Sequence, residues 1–168
     1  GTFTNNLIRS MVNGDQDSVE GYVVALNDYE QKYPYPEEVK LVIRQEQQAD
    51  YLEAANFINL SGADLCFLQH EFGIYGGPAG SHLLALVRDL KMPLVSTFHT
   101  LLREPNAEQR RVMTELVQQS TRLVVMTRRG QEILEEVYQT PSAKIDVIPH
   151  GIPDVPFIDP NYFKDQFG

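Results

Sequence analysis

Alternation constrains this chain more than any other feature of its sequence. Short β-type runs take turns with amphipathic stretches of helical length almost throughout. Residues 19–26 (VEGYVVAL) and 39–44 (VKLVIR) are rich in β-branched residues and bounded by turn formers, so they read as strands. Residues 65–69 (LCFLQ), 94–98 (LVSTF), 123–127 (LVVMT) and 145–148 (IDVI) are compact and nearly unbroken apolar runs. Such runs suit strands covered on both faces, as in a parallel sheet. Between them lie helical stretches at 4–11, 48–60, 80–90, 107–119 and 129–138. In the third, Leu83, Leu84, Leu86, Val87 and Leu90 follow helical spacing and leave Arg88 and Asp89 outside. Repeated strand and helix predict an α/β domain: a doubly wound, mostly parallel sheet with right-handed crossovers and helices on both faces.

Length and charge bound the function classes. A chain of 168 residues suits one compact domain, and 42% hydrophobic residues are enough to build its core. The formal net charge of −9 argues against a general nucleic-acid binder, which needs a basic face to displace counterions. It argues equally against docking on an anionic membrane. The acidity is uneven, because residues 1–60 carry ten acids and four bases whereas eight of the fourteen bases lie between Arg88 and Arg129. The middle of the chain can therefore still offer positive charge to an anion. The longest uncharged run, 72–87, is broken by glycines and Pro78 and does not read as a membrane span. No basic and apolar leader is read at the start, and the single cysteine, Cys66, suits a reducing, cytoplasmic setting. Cys66 falls mid-strand, where a buried and inert thiol is expected.

Candidate chemistry gathers where strands end. His70 follows LCFLQ, His99 follows LVSTF and His150 follows IDVIP. In an open α/β sheet the ligand crevice lies along the carboxyl edge, so three histidines at equivalent points mark a site more readily than three unrelated backbone contacts do. His82 lies inside a helical stretch and reads as structural. The segment Gly73-Ile-Tyr-Gly76-Gly77-Pro-Ala-Gly80 joins a strand to a helix. Its glycines would let backbone N–H groups approach a ligand, or would simply allow a tight connection with Pro near the helix start. His70-Glu71 does not open a zinc helix, since position 74 is Ile, and no metal is expected. Tyr29, Tyr33 and Tyr35 occupy a polar, proline-containing loop that would stack on a sugar or cover the sheet edge.

The order of LQHEFGIYGG, PLVSTFHTLL, RLVVMTRRGQEIL and KIDVIPHGIPD resembles the N-terminal domain of glycosyltransferase family 4. The resemblance implies a Rossmann-like acceptor-side domain over 1–152, the N-terminal half of a GT-B fold. Residues 153–168 would be a linker towards a C-terminal nucleotide-sugar domain. It also implies that the opening GTFTNNL is the glycine loop and helix that follow a first strand this chain lacks. The activity implied is retaining transfer of a hexose from a nucleotide-sugar donor to a carbohydrate or other hydroxyl acceptor, with the fragment alone incomplete. His99 matches the family's active-site histidine. Gly1 and Thr2 match the loop near donor phosphate and acceptor, and His70 and Glu71 match a cleft-facing position. Thr127 and Gly151 match family positions as well, and His150 stands where the family usually has Asn; Gly76, Gly77 and Thr100 are further candidate binding residues. A sugar phosphorylase of the same fold and a non-catalytic flavodoxin-like binding module are the alternative readings.

Overall fold

A computed structural model describes residues 2–13, 19–28 and 33–151. Gly1, Tyr29 and the expected linker over 153–168 lie outside the described residues. In chain order the elements are α1 (Thr2–Asn13), β1 (Val23–Asn27), β2 (Val39–Arg44), α2 (Gln48–Leu60) and β3 (Cys66–His70). They continue with α3 (Leu83–Asp89), β4 (Leu94–Phe98), α4 (Ala107–Gln119), β5 (Arg122–Val125), α5 (Arg128–Tyr138) and β6 (Ile145–Val147). The fold is Rossmann-like α/β, and every strand pairing is parallel.

The strands form two ladders among the described residues: β1 pairs with β2, and β3, β4, β5 and β6 pair in sequence order. A single continuous sheet is thus not what these residues form. One core nevertheless serves both ladders, because Ile43 of β2 and Tyr51, Ala54 and Ala55 of α2 belong to the same buried cluster as Leu68 and Phe98. Helix α2 packs against both β2 and α3.

Local chemistry explains where the elements start and stop. Asn106 caps α4 by accepting from Gln109 N at 2.9 Å, while Gln109 Oε1 accepts from Asn106 N at 2.9 Å. Val112, Met113, Leu116 and Val117 then recur along one face and are buried. Thr127 Oγ1 accepts from Gly130 N at 3.0 Å and caps α5. The apolar run expected over 123–127 therefore stops as strand at Val125, and Thr127 serves the helix instead. The strand expected over 19–26 begins only at Val23, the first residue to pair with β2, across from Val39. The helix expected from Gly80 begins at Leu83, because Gly77, Ala79 and Gly80 take φ of 75°, 53° and 79°. A right-handed helix cannot continue through such residues, and Pro78–Gly80 forms a separate 3-10 turn.

That turn is stitched to the end of β2. Tyr51, fully buried, donates from its hydroxyl to Gln45 O at 2.8 Å and accepts from Gly76 N at 3.0 Å. Gln45 Nε2 donates to Gly73 O at 3.0 Å, and Gly77 N donates to Glu46 Oε2 at 3.3 Å. A Cβ on Gly76 would stand 2.0 Å from Gln45 O, so glycine is required there by the approach of two backbone segments. Replacing Tyr51 by Phe leaves a carbonyl and an amide unpaired and should cost about 1–3 kcal/mol in urea unfolding. Gly76→Ala should cost more, since backbone itself must move; an unchanged midpoint for both variants would show that the stitch carries no stability.

Candidate functional site

Parallel pairing assembles the candidate site. Gln69 and His70 of β3 lie opposite Thr97 and Phe98 of β4, and His99 N donates to His70 O at 3.0 Å. The next residue of each strand, Glu71 and His99, therefore emerges side by side at the carboxyl edge. His99 is half-buried, and its Nε2 lies 2.9 Å from Gln69 Oε1. Burial pushes the His99 ring below its ordinary value; the Glu71 carboxylate pulls it up and His150 pushes it further down. Phe3, near the start of α1, meets both histidine rings edge-on, with centroids 4.9 Å from His99 and 5.1 Å from His150. The ends of β3, β4 and β6 and the first turn of α1 thus converge.

A cleft of about 160 Å3 opens beside His99. It is lined by Leu101 and Met126 and by Thr127, Arg129 and Gly130 at the start of α5. No acidic residue stands in the first turn of α5, so that end presents backbone N–H groups and the positive end of the helix dipole. Arg128 and Arg129 are nonetheless exposed and engaged locally, donating to Gln131 at 3.0 Å and Glu132 at 2.7 Å. Arg103 is held by Glu136 at 2.9 Å. A larger hollow of about 280 Å3 lies elsewhere, between Asn59 and Leu60 at the end of α2 and Asp89 at the end of α3. It contains none of the histidines and only one cation, Lys91. The candidate residues gather instead at the carboxyl edge.

Not every residue singled out in the sequence comes to that edge in the expected way. His70 is the last residue of β3 rather than the first after it. Strand alternation turns it to the same face as Leu68, and its side chain is 1% exposed. The ring stacks on Tyr75 and meets Phe72 and Phe98 edge-on, so the expectation that it faces a cleft is corrected. Of the two readings of the glycine segment, Gly76 and Gly77 fit the tight connection and not the ligand loop, for their amide hydrogens are spent on Tyr51 and Glu46. Thr127 has its hydroxyl on the α5 cap yet still lines the cleft. Thr100 is half-buried just after His99. His150 and Gly151 are exposed, with His150 Nδ1 donating to Gly151 O at 2.9 Å. Thr2 opens α1 and Gly1 lies outside the described residues.

Two residues went unremarked in the sequence. Phe3 lies just before the helical stretch expected at 4–11 and gave no signal of its own, and Gln69 was merely the polar end of an apolar run. A strand-end polar residue next to a candidate histidine is the one cue that would have found Gln69. Among the described residues, no three His, Cys, Asp or Glu side chains come together to hold a metal. Burial pushes the Cys66 thiol up to about 11, so it is a poor nucleophile. No helix among the described residues is long and apolar enough to cross a membrane.

A Rossmann-like α/β domain whose polar and aromatic residues meet at the carboxyl edge of a parallel sheet belongs to a broad class of ligand-binding and transferase domains. The particular family is set by comparison with family models: the one described as Glycosyltransferase Family 4 matches residues 22–154. The chain belongs to that family, as the N-terminal domain of a glycosyltransferase. No curated protein and no solved structure matches it.

His70 yields a pH prediction. Burial, with a smaller push from His99, holds its ring down at about 4. The unfolded chain, with an ordinary value near ~6.5, binds that proton first as pH falls. Stability should be full above about pH 6.5 and drop by on the order of 3 kcal/mol towards pH 4, where the folded state protonates too. Denaturant unfolding at several pH values checks this, and His70→Phe should remove most of the acid loss. An equal loss in the variant would place the acid sensitivity elsewhere.

Proposed function

We propose that this chain is the acceptor-side half of a retaining glycosyltransferase, with His99 placed against the sugar being transferred. The observation that carries the reading is the half-buried His99 ring, tied to Gln69 and opening on a cleft that runs to the α5 N-terminus. Breaking the bond between a sugar and a diphosphate develops positive charge on the ring carbon and negative charge on the leaving group. A neutral imidazole, with its value pushed down by burial, can accept a hydrogen bond from a sugar hydroxyl without adding positive charge beside that carbon. The α5 N-terminus, free of acidic residues in its first turn, is the matching place for negative charge.

In this reading the donor is a nucleotide-sugar, the acceptor a carbohydrate or other hydroxyl compound, and no metal takes part. The nucleotide is held mainly by a second, C-terminal α/β domain of GT-B type, with residues 153–168 as the connection. The protein works in a cytoplasmic, reducing setting, in keeping with its single unreactive thiol. Glu71, Thr100, Thr127, His150 and Gly151 are the neighbouring groups that border the substrates.

His99→Ala in the full-length protein should lower kcat for glycosyl transfer by about a hundredfold or more, with the fold intact by circular dichroism. Near-wild-type turnover would remove His99 from the reacting site. Sugar 1-phosphate released only when inorganic phosphate is added would make the enzyme a phosphorylase instead.

A further inference from the structure

Gln69 is held in place from three directions. Its backbone pairs with Thr97 in the parallel ladder, and its carbonyl oxygen accepts from the Tyr75 hydroxyl at 2.6 Å. Its side-chain amide donates towards Thr97 Oγ1 at 3.5 Å, which leaves the side-chain carbonyl facing His99 Nε2 at 2.9 Å. A carboxamide oxygen has no hydrogen to give, so the nitrogen it faces must carry one. The His99 backbone is fixed by the same strand, through its N–H on His70 O. Ring and backbone of His99 therefore take their position from consecutive residues of β3.

We propose that Gln69 is a positioning residue that fixes His99 in the Nε2–H tautomer and so reserves Nδ1 as the acceptor for a substrate hydroxyl. The part played by Nδ1 in transfer rests on the function proposed above; the tautomer does not. The residue type matters. A carboxylate at position 69 would favour the doubly protonated ring, which would set a positive charge beside a carbon that itself becomes positive. A carboxamide holds the same geometry without that charge. The other titratable groups that face His99 are Glu71 beyond β3, His70 within β3 and His150 beyond β6. Only Glu71 favours protonation of the ring, and the neutral Gln69 adds nothing to it.

The test is 15N NMR of the full-length protein labelled at histidine, without ligand, near neutral pH. His99 should show a protonated Nε2 and an unprotonated Nδ1. Gln69→Leu should lose that preference, and Gln69→Glu should raise the ring's titration midpoint by about one unit or more. In turnover, Gln69→Leu should lower kcat about 10- to 100-fold with little change in KM, and should add little to His99→Ala. Gln69→Glu should move the acid limb of the kcat profile upward. A wild-type His99 protonated at Nδ1 overturns the proposal, as does a midpoint that Gln69→Glu leaves unmoved. If the tautomer is as expected but His99→Ala keeps full activity, Gln69 still positions the ring and it is the proposed function that fails.

Discussion

Parallel pairing between β3 and β4 is the constraint on which the rest depends. In a parallel ladder two strands end at the same edge, so the residues that follow them become neighbours without any contact between their own side chains. Here the register sets Gln69 against Thr97 and His70 against Phe98, and His99 follows as the next residue out. The distance of 2.9 Å from Gln69 to the His99 ring is a consequence of that register. Slipping it by one residue would turn His70 to the other face and send Gln69 into the aromatic cluster that His70 now fills.

The same edge is stiffened from the other side. Tyr51 ties the loop after β2 to the glycine turn after β3, and Tyr75, from that turn, reaches back to Gln69 O. Two buried hydroxyls therefore connect the β1–β2 ladder, the glycine turn and the strand that carries the site. Such a frame suits the role proposed for His99, because ordering a ring beforehand leaves less to be ordered when a ligand arrives. The glycines of the turn belong to this frame. Their shape reflects the approach of backbone to backbone rather than of backbone to ligand.

Much of the fold could be read from the sequence because strand and helix signals here are strongly periodic. The residues of β2, α2, β4 and α4 were marked out to within the last residue, since their apolar spacing and their turn or cap neighbours agree. What could not be read were properties of pairing. That β1 starts at Val23 depends on where β2 begins, and that the helix starts late depends on the positive φ of Gly77, Ala79 and Gly80, in a turn whose Gly76 is pressed against Gln45 O. The site shows the same division. His99 was legible from its place after an apolar run. The inward turn of His70 was not, because the strand is shifted by one residue from its apolar run, to Cys66–His70, and alternation did the rest. Gln69 and Phe3 matter only through what stands opposite them, and a linear sequence does not carry that.

The chain is an N-terminal domain of a family 4 glycosyltransferase, and the reacting site proposed for it lies at the carboxyl edge around His99. Its net charge of −9 does not oppose an anionic donor there, since residues 1–60, with ten acids and four bases, carry most of it and the start of α5 has no acid in its first turn. The most direct measurement is a crystal structure of the full-length protein with a non-transferable nucleotide-sugar analogue and an acceptor. The donor sugar should lie within hydrogen-bond distance of His99 Nδ1, with the cleft beside α5 filled. A sugar held instead in the hollow between Asn59 and Asp89, with the His99 edge empty, would contradict it.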